Sequence, residues 1–239
     1  MSKRKREQAS GIKSQPVRKS SRMTKSIVKD EFHSDNQSAT NTSNALGTKA
    51  TLPIASEPKG LDDELKLRTI DLIEKKRDLF TAPLNTLLIH ACNSQGHWGK
   101  GIALTFRENY PEAYKTNFRH CKSSDQGEIP GTALLIPPAQ DLPEERRHFV
   151  GCLFTSLRMG RAKDKPATIL ENTGSAMSDL LRQVCEWNLS KGDDVKVEAI
   201  WMCQINSGLF NVPWDDTKKV LQEVEVPKDV PTDVIVVTR

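Results

Sequence analysis

The sequence predicts an α/β fold in which helices cover both faces of a largely parallel sheet. Three observations predict it. Short, nearly continuous apolar runs recur at 86–92, 149–155 and 197–205, the mark of strands buried on both faces. Between them lie stretches with apolar residues three and four apart, as helices with one buried face require. Strands alternating with helices build crossover units, and crossovers imply parallel pairing.

In chain order, 64–80 has spaced apolar residues (Leu65, Leu67, Ile70, Leu72) and reads as an edge strand. TLLIHAC at 86–92 is a buried strand, followed by a Gly-containing turn over 93–101. Ile102, Ala103, Phe106 and Tyr110 have helical spacing until Pro111 interrupts, and Ala113, Tyr114 and Phe118 form a second helical stretch. GTALLIP at 131–137 and FVGCLFT at 149–155 read as two more buried strands. Ile169, Leu170, Thr173, Met177, Leu180, Leu181, Val184 and Trp187 mark a long amphipathic helix. VEAIWMCQI at 197–205 is again a strand. Pro213 suits a first helical position, with Asp215 and Asp216 in the positive first turn and Val220, Leu221 and Val224 facing inward. DVIVV at 233–237 is the last strand.

The chain has 239 residues, a net charge of +4 and 5% aromatics. The charge is divided unevenly: 1–60 carries +7 and 61–239 carries −3. The first sixty residues are dominated by Ser, Thr, Asn, Gln and Lys and show no helical or strand period. Such a segment cannot bury enough apolar surface to offset about 1–2 kcal/mol of backbone entropy per residue, so a disordered basic tail is expected. Residues 61–239 suit one domain. Lys3-Arg4-Lys5-Arg6 fits a nuclear import signal or a solvated tail, so cytoplasm, nucleus or both are expected locations. Nucleic-acid contact is expected at most as weak contact by the tail, because the domain is net acidic. No apolar run is long enough to span a membrane, and no secretory leader opens the chain. Five scattered cysteines without a CxxC pair argue against a disulfide framework or a structural zinc site.

Ligands of parallel sheets bind beyond the carboxyl ends of the strands. Two glycine-bearing segments sit there, 93–101 and 206–211, each after a buried strand and before a helix. Their backbone amides and helix N-termini favour anions, so a ligand with more than one phosphate is expected. The first loop is neither a dinucleotide fingerprint, since Gly99-x-Gly101 lacks the third glycine, nor a nucleotide-triphosphatase phosphate loop, since it lacks Gly-Lys-Ser/Thr.

LLIHACNSQGHWGKGIALTFRENYPEAY and QINSGLFNVPWDDTKKVL together resemble the macrodomain family, and within it the fungal ADP-ribose 1''-phosphate phosphatases. The resemblance covers about 65–239. It implies a three-layer α/β/α macrodomain with a central mixed, mostly parallel sheet, and ADP-ribose in a cleft at the sheet's C-terminal edge. Carried over by position, it implies that Asp78 accepts from the adenine amino group, with Leu79 as a backbone neighbour. Asn93 faces the distal ribose. Gly99, Gly101, Ile102 and Ala103 form one diphosphate-side loop. Ser207, Gly208, Leu209 and Phe210 form the other, with Phe210 near the distal ribose. Ala91, Cys92, Ile205 and Asn206 complete the binding set. His90 matches a histidine of the phosphatase-type members, and with Asn93 is the implied catalytic pair. Arg77 and Asn211 stand where the family usually has glycine; Asn is the milder change, since it tolerates left-handed backbone angles.

The residues leave several alternatives open. His90 is a nucleophile or acid, or a structural histidine at a strand end. Asn93 orients a ribose or satisfies the turn backbone. His97 reads as a surface residue, Cys92 as a small buried filler, and Trp214 as packing beneath the second loop. Asp164 and Lys165 either overhang the cleft or sit in a solvated charged loop. No carboxylate cluster suggests a magnesium site, so no metal or cofactor is expected. The leading reading is a monomeric phosphatase that turns ADP-ribose 1''-phosphate, a tRNA-splicing by-product, into ADP-ribose and phosphate. The alternatives are a non-catalytic ADP-ribose-binding module and a hydrolase of mono-ADP-ribosylated proteins.

Overall fold

The computed structural model describes residues 67–140, 143–190 and 195–238. The expected tail, 1–60, with Lys3 to Arg6, lies outside the described residues, as does Leu65.

Six strands and four α-helices follow one another among the described residues: β1 (Asp71–Lys76), β2 (Thr86–Asn93), α1 (Gly101–Asn109), α2 (Pro111–Ser123), β3 (Ala133–Ile136), β4 (Phe149–Ser156), α3 (Pro166–Ser190), β5 (Ala199–Cys203), α4 (Trp214–Gln222) and β6 (Asp233–Thr238). They build one sheet in the order β1-β6-β5-β2-β4-β3. Every pairing is parallel except β3 with β4, which is antiparallel. The sheet is therefore mixed and mostly parallel, as expected.

Strand alternation divides the interior into two cores. Successive side chains of a strand point to opposite faces. In β2, Leu87 and Ile89 join the core under α3 and α4, whose Met177, Leu180, Leu181, Val184 and Leu221 are buried there. Leu88 and Cys92 join the core under α1 and α2, with Trp98, Phe106, Ala113 and Cys121. Each fully buried large apolar side chain contributes about 1.5–3 kcal/mol. The apolar runs of β2 and β4 follow from this arrangement, because each strand is covered on both faces. Gly151 of β4 lets α3 approach closely: a Cβ there would lie 2.8 Å from Leu180 Cδ2 and 3.2 Å from both Ile89 Cγ1 and Leu87 Cδ1.

Three expectations need correction. The first strand is shorter than 64–80. Within that span Leu67 is exposed, and Leu79–Thr81 forms a 3-10 turn capped by Asp78, whose Oδ1 accepts from the Phe80 N–H at 3.0 Å. The strand at 131–137 is not a fully buried one: β3 is a four-residue antiparallel edge. Its outward backbone is closed by α3, with Ala133 N–H donating to Asp179 Oδ2 at 2.8 Å and Leu135 N–H to Gln183 Oε1 at 2.9 Å. Such closure blocks pairing with another chain. Pro213 occupies the capping position, and α4 begins at Trp214, with Asp215 and Asp216 in the first turn as expected. Among the described residues no helix is long and apolar enough to cross a membrane.

Candidate active site

Because β1, β6, β5, β2 and β4 run parallel, the segments that follow them emerge on one edge. Along that edge the order is Arg77-Asp78-Leu79 after β1, 204–213 after β5, 93–100 after β2 and 157–165 after β4. The predicted site residues are thereby brought to one edge of the molecule.

The loop after β2 is built on Asn93. Its Oδ1 accepts from the Gln95 N–H at 3.1 Å, its Nδ2 donates to the His97 carbonyl at 3.2 Å, and its carbonyl accepts from the Gly96 N–H at 3.2 Å. Gly96, at φ 75°, turns the chain against Cys121: a Cβ would lie 3.1 Å from that residue's own Cβ. Trp98 is buried, while His97, Gly99, Lys100 and Gly101 are exposed. Helix α1 starts at Gly101, at φ 60°, after an extended Lys100 that supplies no side-chain cap. The first-turn amides of Gly101, Ile102 and Ala103 thus have no capping side chain, an arrangement that receives anions.

The loop after β5 is held from within. Asn206 adopts φ 63° and is buried. Its Oδ1 accepts from the Thr155 hydroxyl at 3.0 Å, and its Nδ2 donates to Thr173 Oγ1 at 2.8 Å. Its carbonyl accepts from the Val212 N–H at 3.1 Å, and the Gly208 carbonyl accepts from the Asn211 N–H at 3.0 Å. Asn211, at φ 55°, takes the left-handed angle that its expected exchange for glycine requires. The Ile205 and Asn206 side chains are directed into the protein, whereas Ser207, Gly208 and Leu209 are exposed and Phe210 is half-buried. The two loops meet, since a Cβ on Gly101 would lie 3.7 Å from Leu209 Cδ1.

At the far end of the edge, Asp78 is exposed, with Leu79 buried behind it. The Trp214 indole N–H donates to Glu74 Oε1 at 3.2 Å, and Lys218 Nζ reaches the same oxygen at 2.8 Å. That pairing holds Glu74 below the usual carboxylate range, the Lys218 hydrogen bond being the largest cause.

A Macro domain profile matches residues 89–221. An ADP-ribose 1''-phosphate phosphatase of Chaetomium globosum is 46% identical over 158 residues, covering 65% of this chain and 84% of the relative. An enzyme with the same name from Neosartorya fischeri is 38% identical over 178 residues, covering 64% and 89%. This chain belongs to the macrodomain family. Among solved structures, the macrodomain of Thermus aquaticus DarG superposes with a TM-score of 0.54 at 21% identity, covering 71% of this chain and 99% of that one. That likeness concerns the fold.

Within the macrodomain, His90 lies beneath the first loop. It is completely buried, stacked on Phe106 with centroids 4.2 Å apart and set edge-on to Trp98 at 4.5 Å. The alternation of β2 explains this: residues 88, 90 and 92 face the α1–α2 core. In this position the ring is closed off from solvent. Cys92 Sγ lies 3.7 and 3.5 Å from the two His90 ring nitrogens, nearly equidistant and so off the lone-pair axis of either. His90, Cys92 and Cys152 bring their donor atoms within 4.8 Å of one another, but this off-axis sulfur suits packing better than metal ligation. Burial raises the Cys152 thiol, and Cys121 to about 12. Burial also opposes a Cys92 thiolate, but hydrogen bonding from Cys152 and the adjacent His90 draw Cys92 down.

Two elements of the site are not evident from the sequence. Thr155 is the extra residue of a bulge: Cys92 pairs with Phe154, but Asn93 pairs with Ser156, leaving Thr155 to hold Asn206. Asp164 and Lys165 are expected either over the cleft or in a solvated charged loop; Lys165 is exposed, whereas Asp164 is half-buried and turned onto β4. Its Oδ2 accepts from the Leu157 N–H at 2.7 Å, and its own N–H donates to Ser156 Oγ at 3.0 Å, folding 157–164 back on β4. A cavity of about 370 Å³, lined in part by Tyr110, Ile136, Pro137 and His148, lies at the opposite end of β4 and away from these loops. Tyr110 and His148 satisfy one another there, oxygen to Nδ1 at 2.8 Å.

Proposed function

We propose that this macrodomain is a phosphatase that hydrolyses ADP-ribose 1''-phosphate to ADP-ribose and inorganic phosphate. Relatives up to 46% identical carry that activity in their names. The observation that carries the reading in this chain is the meeting of the two loops at Gly101 and Leu209, which brings the uncapped start of α1 beside the exposed segment 207–209. Fixed amide dipoles at such a junction hold a diphosphate and stabilise charge that develops during phosphoryl transfer.

Each residue then has a task. Asp78 keeps one carboxylate oxygen on the Phe80 amide, leaving the other to accept from the adenine amino group beside Leu79. Gly99, Gly101, Ile102 and Ala103 take one side of the diphosphate, and Ser207, Gly208, Leu209 and Phe210 the other. Ala91, Cys92 and Ile205 shape the floor through their backbones. Asn93, fixed by three hydrogen bonds, sits at the ribose end and aligns the ester with water. Complete burial against Phe106 and Trp98 supports His90 as a positioning residue beneath the first loop rather than as the group that meets phosphorus. Hydrolysis breaks the P–O bond, hydroxyl from water goes to phosphorus, and a proton goes to the ribose oxygen.

Calorimetric titration with ADP-ribose tests the binding half of the reading. Binding to the full chain is expected, weakened by Asp78→Ala. Absence of binding would remove both the phosphatase and the reader interpretations. Tight binding without phosphate release would favour a non-catalytic module.

A further inference from the structure

The loop after β4 carries Arg158, Arg161, Lys163 and Lys165 within eight residues. Its one acid, Asp164, is turned inward onto the Leu157 amide. Arg158 and Arg161 are exposed. Among the described residues neither guanidinium has a carboxylate partner.

The sheet order fixes where these cations stand. Along the ligand edge Asp78 follows the outermost strand, the two amide-lined loops come next, and the basic loop follows β4 beyond Asn93. Asn93 and Ser156 are register partners, and the Ser94 N–H donates to the Ser156 carbonyl at 3.1 Å. The basic loop therefore starts one strand spacing from the Asn93 loop. The edge is polarised: an exposed carboxylate at one end, backbone donors in the middle, and unpaired guanidinium groups at the other. A carboxylate repels phosphate and suits an amino group, while guanidinium suits a phosphate dianion with a fork of donors. A ligand with an amino-bearing base at one end and a phosphate monoester at the other matches that polarity in only one direction.

We infer that Arg158 and Arg161 recognise the terminal phosphate monoester and make the macrodomain select the phosphorylated substrate over its dephosphorylated product. The inference rests on the phosphatase reading and deepens it. Asp164 and Ser156 are then positioning residues, since they fold the loop that presents the two arginines. Product release is favoured by the same device, because ADP-ribose lacks the group that the arginines hold.

The test uses the full chain with Arg158→Glu and Arg161→Glu, singly and together. Both side chains are exposed, so folding is expected to be intact. The KM for ADP-ribose 1''-phosphate is expected to rise about tenfold or more for each lost charged contact, with kcat little changed and the Kd for ADP-ribose unaltered. Arg→Lys at each site is expected to recover part of the loss. In the wild type KM is expected to rise with ionic strength, and in the double variant that slope is expected to flatten. An unchanged KM in the double variant overturns the inference, as does an equal loss of affinity for ADP-ribose. Wild-type protein that neither binds ADP-ribose nor releases phosphate would instead overturn the functional reading beneath it, so the two failures are distinct.

Discussion

The Thr155 hydroxyl donates to Asn206 Oδ1 across 3.0 Å, joining the bulge of one strand to the loop that follows another. Asn206 passes the connection on to Thr173 of α3, and the Thr173 hydroxyl donates to the Ile169 carbonyl at 2.6 Å. The loop after β5 is thus fixed by fully or almost fully buried groups. Its left-handed Asn206 is sustained by that network.

Removal of the Asn206 amide is expected to cost about 2–4 kcal/mol in urea denaturation. Asn206→Ala leaves the Thr155 hydroxyl buried without its acceptor and puts a Cβ residue without a local hydrogen bond at positive φ. Asn206→Gly relieves the backbone but not the hydroxyl, so it should be the milder variant. Equal stability of wild type and Asn206→Ala would show that the network does not hold the loop.

His90 separates packing from chemistry. His90→Ala empties a fully buried aromatic site and is expected to cost about 2–5 kcal/mol, with a fall in turnover. His90→Phe keeps a flat ring against Phe106 and is expected to retain kcat within a few-fold. A folded His90→Phe protein with no activity would return His90 to a direct role in the reaction.

Gly151→Ala tests the approach of α3 to the sheet. The new methyl would stand 2.8 Å from Leu180 Cδ2, so overpacking is expected to cost about 1–3 kcal/mol. Thermal melting should fall while KM stays unchanged, because residue 151 lies early in β4, away from the ligand edge. An unaltered melting temperature would mean that Leu180 yields without cost.

His120 gives the domain a pH dependence. Burial lowers its pKa below 6.5, its ring stacks on Phe154 at 5.5 Å, and its Nε2 is buried without a hydrogen-bond partner. The unfolded chain gains the His120 proton near pH 6.5, whereas the folded chain gains it only at lower pH. Stability from this group is therefore complete above about pH 6.5 and is lost as pH falls from there to the folded pKa. Denaturation midpoints measured from pH 7.5 to 5 are expected to decline in wild type and to flatten in His120→Phe. A parallel decline in both proteins would assign the effect elsewhere.

The parts of the fold legible in sequence are those set by local pattern. β2 and β4 are read from apolar runs because both faces are covered, and α3 from its repeat because one face is. The status of β3 is not readable: ALLI is as apolar as a central strand, but β3 pairs with β4 alone at the end of the sheet, and Asp179 and Gln183, distant in sequence, close its open side. The paired loops are legible because glycine and asparagine mark the positive φ angles at Gly101 and Asn211. The burial of His90 follows from period-two alternation once β2 is recognised. The role of Thr155 depends on a one-residue bulge, and that of Arg158 and Arg161 on strand order, neither of which is encoded in a local stretch.

Phosphate release from ADP-ribose 1''-phosphate by the purified full chain tests the central claim most directly. Stoichiometric inorganic phosphate and ADP-ribose are expected, with kcat reduced by about tenfold or more in Asn93→Ala, which no longer aligns the substrate ester. No phosphate release from a folded protein that binds ADP-ribose would contradict it.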